Sequence, residues 1–249
     1  MTPEAPQYSE MPQPPLSEVS RITGVLFEPT KTFEDIAERP RWLVPMLLIL
    51  VSVWAMLAIF TQRVGWETVV REQMERSPRT ANLPADQREQ GVAMGTKFAA
   101  VAGFGGTAIV IPVSYLLVSA VLLGIAAGML SAPVKFKQVF AVVCYSHIPM
   151  ILSSALAIVV IFLKGSEFNM QNPLMFNPAA AMDPLATSKF VYSLASSIDL
   201  FSFWVIYLIA TGLHVAGGKK LSFGSALFAV ILPWAIYVLG KSAAAGMFS

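Results

Sequence analysis

The chain has 249 residues, and four side chains in or near its long apolar stretches are of types that can do chemistry inside a membrane: Asp199, His147, Tyr145 and Ser153. Asp199 is the only acidic residue in or near such a stretch, and ionisable groups in lipid are costly and therefore often functional. A buried neutral histidine can relay protons or bind a polar group of a substrate. These residues are the candidates for a transport path.

Each candidate also has a structural interpretation. Asp199 lies about one turn into an apolar stretch, where a carboxylate can accept hydrogen bonds from the free N–H groups that begin a helix. His147 can hydrogen-bond a neighbouring helix and fix its packing. Asp199 and His214 cannot pair within one helix, because about 22 Å of helix separates them. We favour capping for Asp199 and packing for His147.

Catalysis and metal binding are not expected from this composition. The chain has two histidines and one cysteine, and Cys144 lies inside an apolar stretch, so no intrachain disulfide or thiolate metal site can form. No nucleophile motif, phosphate-binding loop or dinucleotide fingerprint occurs. The formal net charge of +2 is too small for a nucleic-acid surface. We therefore expect no catalytic residue, no metal, no cofactor and no nucleic-acid partner.

Five long uncharged stretches must position these residues, in a chain that is 55% hydrophobic and 13% charged. A bilayer core about 30 Å thick needs about 20 apolar helical residues, and each stretch reaches or nearly reaches that length. The sequence predicts an all-α integral membrane protein with five transmembrane helices in one domain over residues 42–249. The predicted spans are about 42–62, 98–130, 138–163, 195–217 and 221–240.

Two segments precede the first span. Residues 1–20 contain five prolines and have no apolar face to bury, which predicts a disordered Pro-rich tail. Residues 21–41 carry apolar residues near helical spacing, interrupted by Pro29, which indicates an amphipathic helix lying in the membrane interface. A lead-in helix packed on the bundle is an equally good interpretation of the same pattern.

Several prolines and glycines lie deep inside the predicted spans. Pro112, Pro149 and Pro233 are expected to kink spans two, three and five, because neighbouring helices can satisfy the carbonyls that a proline frees. Gly124 and Gly128 form a GxxxG pair, which permits close approach of another helix in lipid. The prolines and the glycine pair therefore predict structure rather than gating.

A faint internal repeat also occurs. At an offset of 88 residues, Gly124 aligns with Gly212, and residues 140–143 align with residues 228–231. If the repeat is real, spans two–three and four–five are two hairpins of the same orientation, related by an axis along the membrane normal. Gly212 is then a helix-packing position like Gly124.

Orientation depends on the lysines and arginines next to the spans. Two lysine pairs, Lys135 with Lys137 and Lys219 with Lys220, fall in the tight turns that follow spans two and four. Both turns lie on the same side as the N-terminus, because two predicted spans precede the first turn and four precede the second. The short turns therefore favour a cytoplasmic N-terminus.

Three segments carry a resemblance to a known family: Phe27–Pro40, Phe136–Pro149 and Ser197–Trp204, the last running on to Leu213. On these segments the chain resembles a prokaryotic member of the Yip family, the Ypt-interacting membrane proteins, over about residues 22–239. The resemblance implies five spans with a cytoplasmic N-terminus, and in a bacterium a location in the cytoplasmic (inner) membrane.

In eukaryotic relatives the resemblance implies binding of prenylated Rab GTPases and a role in vesicle trafficking and membrane shaping. This chain lacks the acidic-aromatic-glycine-proline signature that eukaryotic members carry before their first span. We therefore do not expect binding of small GTPases to transfer.

The leading hypothesis is a multi-pass scaffold or adaptor that organises the bilayer or partner proteins, including copies of itself, without catalysis. It would act through the interfacial helix, the basic turns and the close-packed glycine faces. The alternative is a small transporter or channel whose path lies between the two hairpins, faced by Asp199, His147, Tyr145 and Ser153. Solvent access separates the two: a water-filled cavity at Asp199 and His147 favours transport, whereas capping and hydrogen bonding in a dry bundle favour the scaffold.

Overall fold

The computed structural model describes residues 14–76, 80, 83–165, 168–170, 172–183 and 186–247. These residues form α-helices, two π-helical turns and short 3₁₀ turns, with no strand among them, so the predicted all-α class is confirmed. Residues 1–13 of the predicted tail lie outside the described part.

Eleven α-helices follow one another in the described chain. The first two precede the spans: α1 Glu18–Phe27 and α2 Pro29–Glu38. The others are α3 Leu43–Arg63, α4 Trp66–Arg76, α5 Ala85–Val101, α6 Thr107–Leu123, α7 Phe136–Ser146, α8 Pro149–Lys164, α9 Lys189–Ser197, α10 Leu200–Gly217 and α11 Phe223–Met247.

Five helical segments among the described residues are long and apolar enough to cross a membrane, which confirms the predicted number of spans. The first is α3, the third combines α7 and α8, the fourth is α10 with its terminal 3₁₀ turn, and the fifth is α11. The second runs over 45 residues, Ala85–Met129, and joins α5 to α6.

The second span is about 67 Å long at 1.5 Å per residue, so it projects well beyond a bilayer core. It contains the π-helical turns Ala102–Gly106 and Gly124–Met129, each of which interrupts the regular α-helical bonding. The first π-turn falls on the Gly103–Gly106 stretch. Pro112 lies in α6 between them, and α6 continues through it.

A break divides the third span. His147 leaves helical geometry with φ −90° and ψ 3°, and α8 begins at Pro149. A proline at the first position of a helix needs no N–H partner, which is why the chain can restart there. Pro149 therefore marks a break between two helices, whereas α11 continues through Pro233 without one.

The helix α10 lies at the centre of the bundle. In the most apolar part of α10, 56% of the residues are buried, whereas the share is 17–28% in the corresponding parts of the other four spans. The helices α2, α7, α8 and α11 all pack against it. A second, smaller core at the opposite end collects Leu57, Phe60, Trp66, Ile161 and Phe168.

The start of the chain differs from the predicted tail. Ser17 caps α1, since its Oγ accepts a hydrogen bond from Ser20 N at 3.1 Å, and the helix begins at Glu18. A tail reaching residue 20 is therefore too long, because an N-cap serine starts the helix earlier.

The lead-in helices pack on the bundle. Val25, Phe33 and Ile36 have no exposed surface and belong to the main core, beside residues of α7 and α10. Of the two interpretations of residues 21–41, the packed lead-in helix describes this face. The opposite face of α1 is apolar and open, with Val19 and Phe27 exposed.

The fourth span also starts later than the predicted residue 195. The chain leaves helical geometry at Ile198 and Asp199, which separates α9 from α10. The reason is local, because Asp199 takes an extended backbone, with φ −115° and ψ 158°, and caps the helix that follows.

Candidate functional site

Arg21 is the centre of a polar cluster that ties the lead-in helices to the third span. Its side chain is 1% exposed. Its Nε donates a hydrogen bond to Asp35 Oδ2 at 2.6 Å, and Nη2 lies at the same distance from that oxygen. Its Nη1 lies 3.6 Å from Glu18 Oε1. We call Glu18, Arg21, Asp35 and Tyr145 the lead-in cluster.

Tyr145 brings α7 into the cluster. Its ring has no exposed surface, and its hydroxyl donates a hydrogen bond to Glu18 Oε2 at 2.5 Å. Close by, Gln138 Nε2 donates to the carbonyl oxygen of Ala37 at 2.9 Å, which ties the end of α2 to the start of α7. Side-chain hydrogen bonds therefore fasten both lead-in helices to the same span.

The charges of the cluster are matched internally. Asp35 also accepts from Arg39 Nη1 at 3.2 Å, and Glu18 lies 3.5 Å from Arg41 Nη1. Desolvation lowers the pKa of Arg21, but the hydrogen bonds to Tyr145 and Asp35 outweigh it, so the pKa is raised and the guanidinium stays charged. Buried charges of this kind hold helices together only when each is partnered.

An apolar contact next to the cluster depends on Gly212. A Cβ atom at Gly212 would lie 2.5 Å from Val142 Cγ1 and 3.0 Å from Phe33 Cδ1. Three helices, α2, α7 and α10, therefore meet at this glycine, and any side chain there would force them apart.

His147 lies at the end of α7, and its hydrogen bond goes to its own helix rather than to a neighbouring one as predicted. Its Nδ1 is 2.8 Å from the carbonyl oxygen of Val143, and since a carbonyl only accepts, Nδ1 carries the proton. Its ring lies against the ring of Tyr115 from α6, with the centroids 4.2 Å apart and the planes tilted by 32°. Both contacts fix the break in the third span.

Asp199 caps α10. Its Oδ1 accepts hydrogen bonds from Phe201 N at 2.9 Å and Ser202 N at 3.1 Å, and its Oδ2 accepts from Ser202 Oγ. The carboxylate thus satisfies two of the free N–H groups that begin the helix. These bonds match the capping interpretation of this residue.

The four candidates do not come together in one path. Tyr145 belongs to the lead-in cluster, His147 to the contact with Tyr115, and Asp199 to the first turn of α10. Ser153 lies half-buried on α8. Two open surface pockets are formed by described residues: one of about 290 Å³ between α1 and α2, and one of about 350 Å³ beside α4. None of the four candidates lines either pocket.

The predicted glycine pair does not pack inside the chain. A Cβ atom at Gly124 or Gly128 would meet nothing within 4 Å, and both residues lie on the exposed side of the second π-helical turn. Their role in close approach of another helix therefore stays a prediction, and within the described residues neither glycine makes such a contact. Gly212 does occupy a packed position.

Sequence reasoning missed Glu18, Arg21 and Asp35. A signal was present, since Glu18 and Arg21 lie on one face of α1 together with Val25, and these two charged residues stand beside an apolar one that packs. A charged residue on a face that packs needs a partner, which the sequence alone did not identify.

Comparisons with known proteins agree on a membrane family. The family model of the Yip1 domain matches residues 23–243. The membrane protein YknW of Bacillus subtilis (strain 168) is 26% identical over 227 residues, which cover 89% of this chain and 90% of that protein. No solved structure matches the chain significantly.

Proposed function

Because the chain belongs to the Yip1 domain family, we propose that this multi-pass membrane protein is a scaffold or adaptor, which organises the bilayer or partner proteins without catalysis. The observation that carries the proposal is the way the polar groups inside the bundle are used. Tyr145 donates to Glu18, His147 donates to a carbonyl of its own helix, and Asp199 caps α10. A transport path needs such groups free to bind and release a solute.

The packing of the lead-in helices supports the same proposal. Phe33 of α2 reaches the contact between Val142 and Gly212, so α2 packs against both α7 and α10. Close packing at this contact leaves no room for water between the three helices. The protein would then act through its surfaces rather than through a pore.

We further propose that the N-terminus faces the cytoplasm, in the inner membrane of a bacterium. The lysine pairs at positions 135, 137, 219 and 220 lie in short turns on the N-terminal side, where positive charge retains a loop in the cytoplasm. In this orientation α1, α2 and both turns face the cytoplasm, where partner proteins would reach them.

Accessibility of single cysteines tests the scaffold against the transporter. In a Cys144→Ala background, Ser153→Cys and His147→Cys are each exposed in native membranes to a small, membrane-impermeant thiol reagent. Ala141→Cys is the buried control, and Lys135→Cys is the exposed control. Ser153→Cys keeps the size of the native side chain, so it remains informative if His147→Cys disturbs the break.

The proposal predicts that Ser153→Cys and His147→Cys react as slowly as Ala141→Cys. Reaction at rates near that of Lys135→Cys would mean that water enters the bundle. That result would overturn the scaffold and make transport the better account.

A further inference from the structure

Two short turns at the N-terminal end of the bundle carry exposed lysines. The turn of residues 130–135 leads into α7 and holds Lys135, and Lys137 follows in the first turn of that helix. The turn of residues 218–222 joins α10 to α11 and holds Lys219 and Lys220. We call the two turns, together with Lys137, the lysine turns. They lie on the same side of the membrane, because the chain crosses it twice between them.

The backbone of the lysine turns is anchored to the core. Ala132 and Val134 of the first turn and Leu221 of the second are buried in the main core. The carbonyl oxygen of Leu221 also accepts a hydrogen bond from His214 Nδ1 at 2.6 Å. The π-helical turn before the first lysine turn contacts α11, the helix that follows the second. Apolar residues therefore point inward while all four lysines are exposed.

No acidic side chain neutralises these lysines. Neither lysine turn contains an aspartate or glutamate, and no ion pair within the described residues involves any of the four lysines. The acids of the neighbouring α1 and α2 include Glu18 and Asp35, which arginines of the same segment hold, and Glu34 and Glu38, which form no ion pair with a turn lysine among the described residues. The positive charge of the turns therefore faces outward.

Aromatic side chains indicate how deep the turns lie. Phe136, between the two lysines of the first turn, stacks on Phe140 with the ring centroids 6.0 Å apart. The ring of Trp42, at the start of α3, lies 5.2 Å from that of Phe140. Phe223 follows the second turn and is partly exposed. Aromatic residues gather at the level of the lipid headgroups, so the lysines lie beside the phosphates.

From these observations we propose that the lysine turns bind the headgroups of anionic phospholipids in the leaflet that they face. Four ammonium groups on two anchored turns match the phosphate of such a lipid in charge and in depth. The inference deepens the proposed scaffold role by naming the lipid that the scaffold gathers, and it rests on that role.

The test measures lipid preference around the full chain. The protein is reconstituted in phosphatidylcholine vesicles, and the motion of spin-labelled phosphatidylglycerol is compared with that of spin-labelled phosphatidylcholine. We expect a preference for phosphatidylglycerol of about fivefold, the factor that one lysine contributes at an anionic surface. The preference should weaken as salt rises, because the charges are exposed. The test variant removes all four charges: Lys135→Gln, Lys137→Gln, Lys219→Gln and Lys220→Gln.

Two matched variants control the result. One removes the same number of exposed lysines from the opposite end of the bundle: Lys97→Gln, Lys164→Gln, Lys189→Gln and Lys241→Gln. The other replaces the four turn lysines by arginine, which keeps the charge. The preference should vanish in the turn-glutamine variant and persist in both controls. An unchanged preference in the turn-glutamine variant, or an equal loss in the opposite-end variant, would overturn the proposal.

The lipid proposal and the scaffold proposal fail separately. If the wild-type chain shows no preference for phosphatidylglycerol while the cysteines at positions 147 and 153 stay protected, only the lipid proposal is refuted. Labelled cysteines with an intact preference for phosphatidylglycerol would remove the scaffold role instead.

Discussion

Burial leaves Arg21 almost without access to water, so neighbouring side chains must match its charge. Asp35 Oδ2 forms an ion pair with Arg21 at 2.6 Å. Glu18 Oε1 lies 3.6 Å from Arg21, and Glu18 Oε2 accepts a hydrogen bond from the hydroxyl of Tyr145. The cluster thereby fastens α1 to α2 and α1 to α7. The guanidinium of Arg21 is charged at every physiological pH, so the ion pair with Asp35 persists.

The substitution Tyr145→Phe tests the link between α1 and α7. It removes the hydroxyl that donates to Glu18 and leaves a carboxylate without that donor. We expect a loss of about 1–3 kcal/mol of stability, the usual contribution of a hydrogen bond to a charged group that is partly buried. The measurement is the midpoint of thermal unfolding in detergent.

The matched control is Tyr237→Phe, because Tyr237 is 66% exposed. It should leave the midpoint nearly unchanged. Equal midpoints for the two variants would show that the hydroxyl of Tyr145 does not hold α1 in place.

At single positions the sequence predicted local roles and missed distant ones. The capping interpretation of Asp199 needed only the residues that follow it, and the observed hydrogen bonds to Phe201 and Ser202 match it. The lead-in cluster pairs Glu18 with Tyr145, which is 127 residues away. Spacing along the chain carries no information about such a contact, because tertiary packing brings the two residues together.

Among the helices, the glycines give the sharpest contrast. A methyl group at Gly212 would collide with Val142 and Phe33, whereas one at Gly124 would meet open space. We expect Gly212→Ala to lower stability by about 1–3 kcal/mol, the usual cost of overpacking, and Gly124→Ala to have little effect. Thermal unfolding of the two variants measures the difference.

The outcome also bears on the predicted repeat, since these glycines align at the offset of 88 residues. A large loss for Gly124→Ala and none for Gly212→Ala would contradict the packing of α2, α7 and α10 described above.

An ion pair between α4 and α5 predicts that the stability of the folded chain depends on pH. Arg71 Nη1 lies 2.7 Å from Glu89 Oε1, so the two side chains form an ion pair. Such a pair stabilises the folded chain only while the carboxylate is ionised, so the effect is lost as the pH falls and the carboxylate takes up a proton. The effect is small because the pair is exposed.

We therefore expect the wild-type chain to unfold at a slightly higher temperature than Glu89→Gln near neutral pH. This advantage should disappear in acid, below the ordinary glutamate range. Glu75→Gln, at an exposed glutamate of α4, controls for the loss of one negative charge. An advantage that survives in acid would contradict the assignment to the Arg71–Glu89 pair.

Hydropathy predicted the number of spans, because the length of an apolar helix is set by the bilayer. Hydropathy did not predict that the helix of the second span begins at Ala85, because α5 is rich in polar residues and has no continuous apolar stretch. The π-helical turns were missed as well, because they depend on local bonding geometry that composition does not encode. Pro149 was predicted as a kink and is the start of a new helix.

Over the whole molecule, α10 forms the centre and the lead-in helices complete its surroundings. The sequence left open whether residues 21–41 lie in the interface or pack on the bundle, because an amphipathic face suits both. Burial of Val25, Phe33 and Ile36 shows that one face of these helices packs on the bundle, and their place in the membrane interface stays a prediction. The repeat of two hairpins stays a prediction, although α7 and α8 are separated by a break and α11 is continuous.

The central claim is that α1 and α2 are an integral part of the bundle, with α2 packed against α7 and α10 and α1 held against α2 and α7. Hydrogen exchange of the full chain in lipid nanodiscs, followed by mass spectrometry, tests it most directly. We predict that amides of residues 21–38 exchange nearly as slowly as those of α10, and that Tyr145→Phe speeds their exchange while α10 stays protected. Exchange of residues 21–38 within seconds, in the wild-type chain, would contradict the claim and return these helices to the membrane surface.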